Sequence, residues 1–98
     1  MEVQAPESKG FTVYSKSGCP QCWTVKQHIK EKHFLLTEIN CDEYLLEDKE
    51  AFLESIQEYT KVAQKTFPMV FYDGKYLGGW GATVDFMDKM LLSFEDNF

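Results

Sequence analysis

The sequence predicts an α/β domain in which a mixed four-stranded sheet is flanked by helices. Short apolar and β-branched runs alternate with segments of helical periodicity in the order β-α-β-α-β-β-α. A helix joins the first two strands, so these are expected to be parallel with a right-handed crossover. The turn Asp73-Gly74 joins the last two strands as an antiparallel hairpin. With 98 residues, of which 44% are hydrophobic, the chain suffices for one domain with one core.

The N-terminal half of the chain supplies a lead-in, two strands and one helix. Residues 1–10 lack apolar periodicity and are expected to form a flexible lead-in, so the single domain spans 11–98 and no N-terminal helix is predicted. The run Phe11–Tyr14 predicts a buried strand, and Phe34–Ile39 predicts the second. Between them, Pro20 suits the first position of a helix, because its missing N–H has no partner to lose there.

The C-terminal half supplies two helices and the hairpin. Asn40–Asp42 contains residues that favour a turn, and Asp48–Val62 is the most regular amphipathic helix of the chain. Pro68–Tyr72 and Lys75–Leu77 predict the last two strands. The final helix is expected to begin at about Thr83, after a pair of glycines that interrupts the chain.

Composition and charge exclude several classes of function. Ten basic residues face sixteen acidic ones, for a formal net charge of −6. This balance argues against binding to nucleic acid or to an anionic membrane, and no run approaches the roughly 20 apolar residues of a membrane span. The acidic side chains concentrate between Asp42 and Glu58, where a solvated helix face is favoured over a docking surface for a basic partner.

The chain contains three cysteines, an odd number, and a polar N-terminus that does not fit a signal peptide. A structural disulfide framework is therefore not expected. The protein is expected in the cytoplasm, where thiols are kept reduced and a disulfide is transient. Cys41 has no cysteine nearby in sequence, so a small packing residue is favoured over a regulatory thiol.

Cys19 and Cys22 lie where the first strand gives way to the first helix, in the sequence Cys-Pro-Gln-Cys. A thiol at a helix N-terminus faces free backbone N–H groups and the positive end of the helix dipole, both of which stabilise the thiolate. The pKa of such cysteines falls to about 3.5–7.5 from about 8.5. Cys19 is therefore the expected nucleophile, and Cys22 is expected to resolve a mixed disulfide by attacking the sulfur of Cys19.

A structural zinc site is the main competing interpretation, because His28 and His33 follow the two cysteines closely. At about 100° per residue, however, His28 falls near the opposite side of the helix from Cys19. The spacing between the cysteine pair and the histidine pair is also shorter than in zinc fingers. Both histidines are interpreted as surface residues, and neither a metal nor another tightly bound cofactor is predicted.

Three separated motifs occur in order along the chain, namely Tyr14–Cys22, Gln64–Pro68 and Gly78-Gly79. Together they resemble the glutaredoxin family, in its dithiol form within the thioredoxin superfamily, and the resemblance spans about Gly10 to Leu92. It implies the thioredoxin fold and a monomeric oxidoreductase. Such an enzyme reduces glutathione mixed disulfides and protein disulfides, with glutathione as co-substrate.

The resemblance also implies a glutathione site on one side of the dithiol. Pro68 matches the cis-proline of the family, which would leave the backbone of Phe67 free to pair with extended glutathione. Lys16 and Gln64 match positions that hold the glycyl carboxylate.

Gly79 and Thr83 are the candidates for the γ-glutamyl end of glutathione. Gly78-Gly79 would let the backbone approach the thiols closely. Family members usually follow this pair with a polar or acidic residue, whereas this chain reads Trp80-Gly81-Ala82-Thr83. Without such a residue, the start of the final helix and the Thr83 hydroxyl are the groups expected to bind the γ-glutamyl carboxylate.

Two other functions remain open within this resemblance. The departure at Trp80–Thr83 suits a dedicated electron donor, for example to ribonucleotide reductase, that is reduced by thioredoxin reductase. An iron–sulfur module, in which Cys19 and glutathione hold a cluster between two subunits, is disfavoured by Pro20, since cluster-binding members usually have serine or glycine there.

Overall fold

A computed structural model of the chain describes residues 1–95 and confirms the predicted α/β fold. Its elements follow in the predicted order: β1 (Phe11–Ser15), α1 (Pro20–Glu31), β2 (Leu36–Asn40), α2 (Asp42–Thr60), β3 (Met69–Tyr72), β4 (Lys75–Gly78) and α3 (Trp80–Glu95). Within the described part of the chain, none of these helices is both long and apolar enough to cross a membrane.

The four strands form one mixed sheet in the order β2-β1-β3-β4. β1 and β2 are parallel, with Phe11 opposite Leu36, whereas β1 and β3 are antiparallel, with Tyr14 opposite Met69. β3 and β4 complete the antiparallel hairpin. The arrangement confirms the predicted strand directions and puts the carboxyl end of β1 where α1 begins.

The sheet has an apolar layer on each face. Alternate residues of β1 point to opposite faces, so Phe11 and Val13 pack with α1 and α3, while Tyr14 packs with α2. Both layers contain several completely buried side chains, and the strand between them therefore consists of buried residues only. This double burial fixes the end of β1, and with it the start of α1, as a rigid base for the dithiol.

The helix α2 starts earlier than predicted and has two parts. Asn40–Asp42 was expected to form a turn, and the Asn40 side chain does accept a hydrogen bond from the Asp42 N–H at 2.8 Å, but the helix begins there. The acidic residues in its first turn interact favourably with the positive end of the helix dipole. Asp48, the predicted start, has an extended backbone (φ −164°, ψ 98°), and its carboxylate caps the second part by accepting the Ala51 N–H at 3.0 Å.

Other boundaries differ from the prediction by one to three residues. α3 begins at Trp80 instead of Thr83, and β2 begins at Leu36 instead of Phe34. Residues 1–10 form neither helix nor strand, and they contact the domain directly. Val3 is buried against the α2 layer, and the Tyr14 hydroxyl donates a hydrogen bond to the Gln4 carbonyl at 2.6 Å.

Candidate active site

Cys19 caps the N-terminus of α1 with its own sulfur. The Cys22 N–H donates a hydrogen bond to the Cys19 Sγ at 3.1 Å, and Pro20 occupies the first turn as predicted. Cys19 and Cys22 form a disulfide whose Cα atoms are 5.3 Å apart. Cys22 is only 2% exposed, whereas Cys19 is partly exposed, so an incoming disulfide meets the Cys19 sulfur first.

The loop before Cys19 is held by the start of α2. Asp42 accepts a hydrogen bond from the Ser17 N–H at 2.9 Å and a second, very short one from the Ser17 hydroxyl. The Cys41 N–H donates to the Ser15 carbonyl at 2.8 Å, which ties the same two segments together. The Ser17 side-chain bond, followed by its backbone bond, lowers the pKa of the Asp42 carboxyl below its ordinary value of 3.8.

An Asp42→Asn variant should be less stable than the wild type at pH 7, and its stability should depend less on acid. Because the folded-state pKa of Asp42 lies below 3.8, its contribution is present above pH 3.8 and is lost as the pH falls through the folded value. Urea unfolding at pH 7, 5 and 3 measures this. Asp85→Asn, at an exposed position on α3, is the control and should follow the wild type. Parallel pH curves for wild type and Asp42→Asn would contradict the expectation.

Cys19 opens onto a groove of about 510 Å³ between its loop and the segment before β3. Lys16 lies on the loop side of the groove, and Lys65, Thr66 and Phe67 lie on the other. The Lys16 Nζ is 5.9 Å from the centroid of the Phe67 ring, a distance that allows a cation–π contact. Two ammonium groups thus line the groove that leads to the exposed sulfur.

Phe67 lines this groove, and Pro68 follows it directly in the chain. The peptide bond between them is cis, and Pro68 is buried while Phe67 is half-buried and stacks on Phe52 with 6.0 Å between ring centroids. A Cβ placed on Gly79 would lie 3.7 Å from the Pro68 carbonyl oxygen, so the glycine pair passes directly beside the proline. The structure therefore brings Lys16 and Phe67 together in the groove at Cys19, with Pro68 next to Phe67 and Gly79 close to Pro68.

Gln64 and Thr83 do not line the groove at Cys19. The Gln64 side-chain amide donates to the Thr66 hydroxyl at 2.7 Å, and Gln64 lines a second groove along α2 that shares Lys65 with the first. Thr83 is fully buried, and its hydroxyl donates to the Gly79 carbonyl at 2.8 Å. The Thr83 side chain thus fixes the glycine pair at the start of α3.

Cys41 is completely buried in the layer between the sheet and α2, and its thiol is free. Its Sγ lies 3.8 Å from the Ile39 carbonyl, as a weak donor. Burial, with a further contribution from the neighbouring Asp42 charge, raises the pKa of the Cys41 thiol from 9.0 to about 12. A buried, protonated thiol acts as a packing group, which is the role favoured for Cys41 from the sequence.

In the oxidised, folded protein, Cys41 should resist alkylation at pH 8. A pKa shift from 9.0 to about 12 lowers the thiolate fraction by about a thousandfold, and only the thiolate reacts rapidly. Iodoacetamide labelling followed by mass spectrometry, with and without urea, measures the protection. Reduced protein is the control, since Cys19 should then be labelled at once. Labelling of folded Cys41 at the rate seen in urea would contradict this.

Residues of the metal-ligand type do not gather around the dithiol. Across the part of the chain that the structure describes, no group of three or more His, Cys, Asp or Glu side chains could hold a metal ion. The His28 ring instead packs edge-on against Trp80, with 5.4 Å between centroids, and His33 follows α1 with a positive φ of 62°.

Two features of the site had not been predicted. Lys65 lies next to Gln64 in a polar loop, and nothing in its spacing distinguishes it from a solvated lysine. The bonds between Ser17 and Asp42 join residues 25 positions apart, which no local pattern can reveal. Asp42, an acidic residue two positions after the turn-forming Asn40 that ends the strand, was the available signal.

Comparison with known proteins places the chain among redox proteins of one family. Residues 11–77 match the glutaredoxin family. Glutaredoxin 1 of Rickettsia conorii is 31% identical over 84 residues, which cover 81% of this chain and 78% of the relative.

Solved structures agree with the sequence comparison. Glutaredoxin 1 from Francisella tularensis, complexed with cacodylate, superposes with a TM-score of 0.71 at 25% identity, covering 83% of this chain and 94% of that one. A buckwheat glutaredoxin–glutathione complex superposes with a TM-score of 0.69 at 27% identity, covering 89% and 76%. Together with the Cys19–Cys22 pair, these similarities support thiol–disulfide oxidoreductase activity. The chain belongs to the glutaredoxin family.

Proposed function

We propose that the chain reduces glutathione mixed disulfides and protein disulfides with glutathione as its electron source. The observation that carries this proposal is the groove at Cys19, which Lys16 lines on one side and Lys65 and Phe67 line on the other, beside a capped sulfur. The buckwheat relative in complex with glutathione supports it by analogy. The chemistry also favours a compartment where thiols are kept reduced, such as the cytoplasm.

Glutathione suits this groove because it is a short extended peptide with a carboxylate at each end. Lys16 and Lys65 supply positive charge for the glycyl carboxylate, and Gln64 supports the loop through Thr66. In this proposal the backbone of Phe67 pairs with the cysteinyl residue of glutathione, as in β-augmentation. The Thr83 hydroxyl already donates a hydrogen bond to the Gly79 carbonyl. The Gly79 backbone and the first turn of α3 are therefore the groups that would bind the γ-glutamyl carboxylate.

The reaction on a glutathione mixed disulfide needs only Cys19. Its thiolate, stabilised by the Cys22 N–H, attacks the glutathione sulfur, and the substrate sulfur leaves as a thiolate. A second glutathione thiolate then attacks the same glutathione sulfur. Glutathione disulfide forms, and Cys19 is released as the thiolate with its electron pair.

On a protein disulfide, the second cysteine completes the reaction. Cys19 attacks one substrate sulfur, and the other substrate sulfur leaves as a thiolate. Cys22 then attacks the Cys19 sulfur and releases the fully reduced substrate. The product is the Cys19–Cys22 disulfide seen in the structure, which two glutathione molecules reduce in turn.

A coupled assay with glutathione, glutathione reductase and NADPH tests the proposal. The wild type and a Cys22→Ser variant should both reduce a glutathionylated peptide. A double variant, Lys16→Gln with Lys65→Gln, should raise KM for this peptide by about tenfold or more. Lys75→Gln, on the exposed edge strand β4, is the matched control and should leave KM unchanged. Regeneration by glutathione at a rate no faster than the uncatalysed reaction would refute the proposal.

The γ-glutamyl side favours one alternative reductant. Ala82 is exposed and without a polar group, and the Thr83 hydroxyl is buried, so side chains contribute little there. A donor to an enzyme such as ribonucleotide reductase, recharged by thioredoxin reductase, would fit this pattern. Following the recovery of free thiols with each reductase in turn separates the two functions.

A further inference from the structure

Both tryptophans of the chain line one groove beside the dithiol. Trp23 directly follows Cys22, and Trp80 begins α3 directly after Gly79. The groove has a volume of about 180 Å³ and shares no lining residue with the groove at Cys19. Because Trp23 follows Cys22 and Trp80 follows Gly79, a protein bound at Cys19 has this second surface within reach of its neighbouring residues.

Exposed aromatic area is the main property of this tryptophan groove. Trp23 is 64% exposed, which is a large apolar surface to leave in water without a partner. Trp80 is held by the His28 ring, which meets it edge-on at an interplanar angle of 89°. Trp80 is thus positioned by a neighbouring ring, whereas most of the Trp23 surface is open to a bound group. Tryptophan faces of this kind bind cations well.

The polar groups of the groove select a donor of hydrogen bonds. Glu31 lines the groove, and within the described part of the chain it forms no ion pair, because Lys26 and Lys30 are both engaged by Glu38. The His28 Nε2 is enclosed and has no hydrogen-bond partner among the described residues. With the ring proton on Nδ1, this nitrogen is an unused acceptor for an N–H group that displaces the side chains covering it. The net charge of −6 adds a general preference for a cation.

We propose that the tryptophan groove receives an arginine side chain from a disulfide-bearing protein substrate, close in its sequence to the reacting cysteine. A guanidinium is planar enough to stack on Trp23, and it presents several N–H donors at once to Glu31 and His28. A lysine ammonium matches the charge but not the planar shape. The inference rests on the protein-disulfide half of the proposed function and is independent of glutathione.

Single-turnover kinetics with pre-reduced protein test this without any glutathione. Three synthetic peptides each contain one internal disulfide and differ only in the residue that flanks the cysteines, which is arginine, lysine or glutamine. The wild type should reduce the arginine peptide about tenfold faster than the glutamine peptide, with the lysine peptide between them. Mass spectrometry of the reduced peptide gives the rate constants.

Substitutions in the groove should remove the preference selectively. Trp23→Ala and Glu31→Gln should each bring the arginine and glutamine peptides to within about twofold, with the glutamine rate unchanged. Leu46→Ala and Glu58→Gln, which remove an exposed apolar group and a negative charge from α2, should keep the full preference. Equal wild-type rates on arginine and glutamine peptides, or a preference that survives in Trp23→Ala, would overturn the proposal. Failure to reduce any peptide would instead count against the protein-disulfide function itself.

Discussion

A Cys19→Ser variant should lose turnover on every disulfide substrate, by about a thousandfold or more. Cys19 is the more exposed sulfur of the pair, and it alone receives the Cys22 N–H at the start of α1. A serine hydroxyl is not ionised at neutral pH, so it cannot replace the thiolate. Measurements on a glutathionylated peptide and on a protein disulfide would both show the loss.

A Cys22→Ser variant is the matched comparison, because it changes the same atom three residues away. It should retain most of the activity on the glutathionylated peptide and lose much of the activity on the protein disulfide, which needs the second thiol to release the substrate. A trapped mixed disulfide between Cys19 and the protein substrate should accumulate and be visible by non-reducing electrophoresis. Turnover by Cys19→Ser would show that the roles of the two cysteines are assigned wrongly.

Gly78→Ala should destabilise the fold by about 3 kcal/mol, while Gly79→Ala should cost less than about 1 kcal/mol. Gly78 has a φ of 135°, and a Cβ there would lie 2.9 Å from the Cβ of Ala82. At Gly79 the nearest atom to an added Cβ, outside the adjoining residues, is the Pro68 carbonyl oxygen at 3.7 Å, an ordinary contact. Urea midpoints at equal m value measure the difference.

A double variant, Gly78→Ala with Ala82→Gly, separates the two causes of that loss. Removing the Ala82 Cβ relieves the 2.9 Å approach but leaves the backbone of residue 78 in a region that alanine avoids. The double variant should therefore recover part of the stability, less the roughly 1 kcal/mol that a glycine costs inside a helix. Identical midpoints for Gly78→Ala and Gly79→Ala would contradict the whole argument.

The order of the elements and the location of the dithiol could be predicted because both depend on local signals. Alternating apolar runs predicted the strands, and Pro20 after a cysteine predicted the start of α1. The starts of the other helices could not be read in the same way. At the start of α2, Asp42 carries a turn-forming side chain that is equally suited to the first turn of a helix. At the start of α3, Gly81 lowers the helix propensity, and the packing of Trp80 compensates for it.

The surroundings of the dithiol were less predictable, since they depend on contacts between distant segments. Lys16 could be named from its distance to Cys19 in sequence, but its contact with Phe67 arises only when β1 and β3 pair. Thr83 could be named as a nearby hydroxyl, yet its burial follows from the packing of α3. The tryptophan groove lies between α1 and α3, and the sequence does not show that those helices approach each other. Nor does it show that Glu31 lacks an ion pair among the described residues.

The short span of the Cys19–Cys22 bridge matters for how often the protein can be used. A cross-link between residues only three apart restricts the unfolded chain little, so it adds about 2 kcal/mol of chain entropy, against about 4.7 kcal/mol for a loop of 100 residues. The side chains that build the two buried layers of the sheet lie outside this loop. We therefore expect the fold to persist through repeated oxidation and reduction of the dithiol, so that one molecule can carry electrons many times.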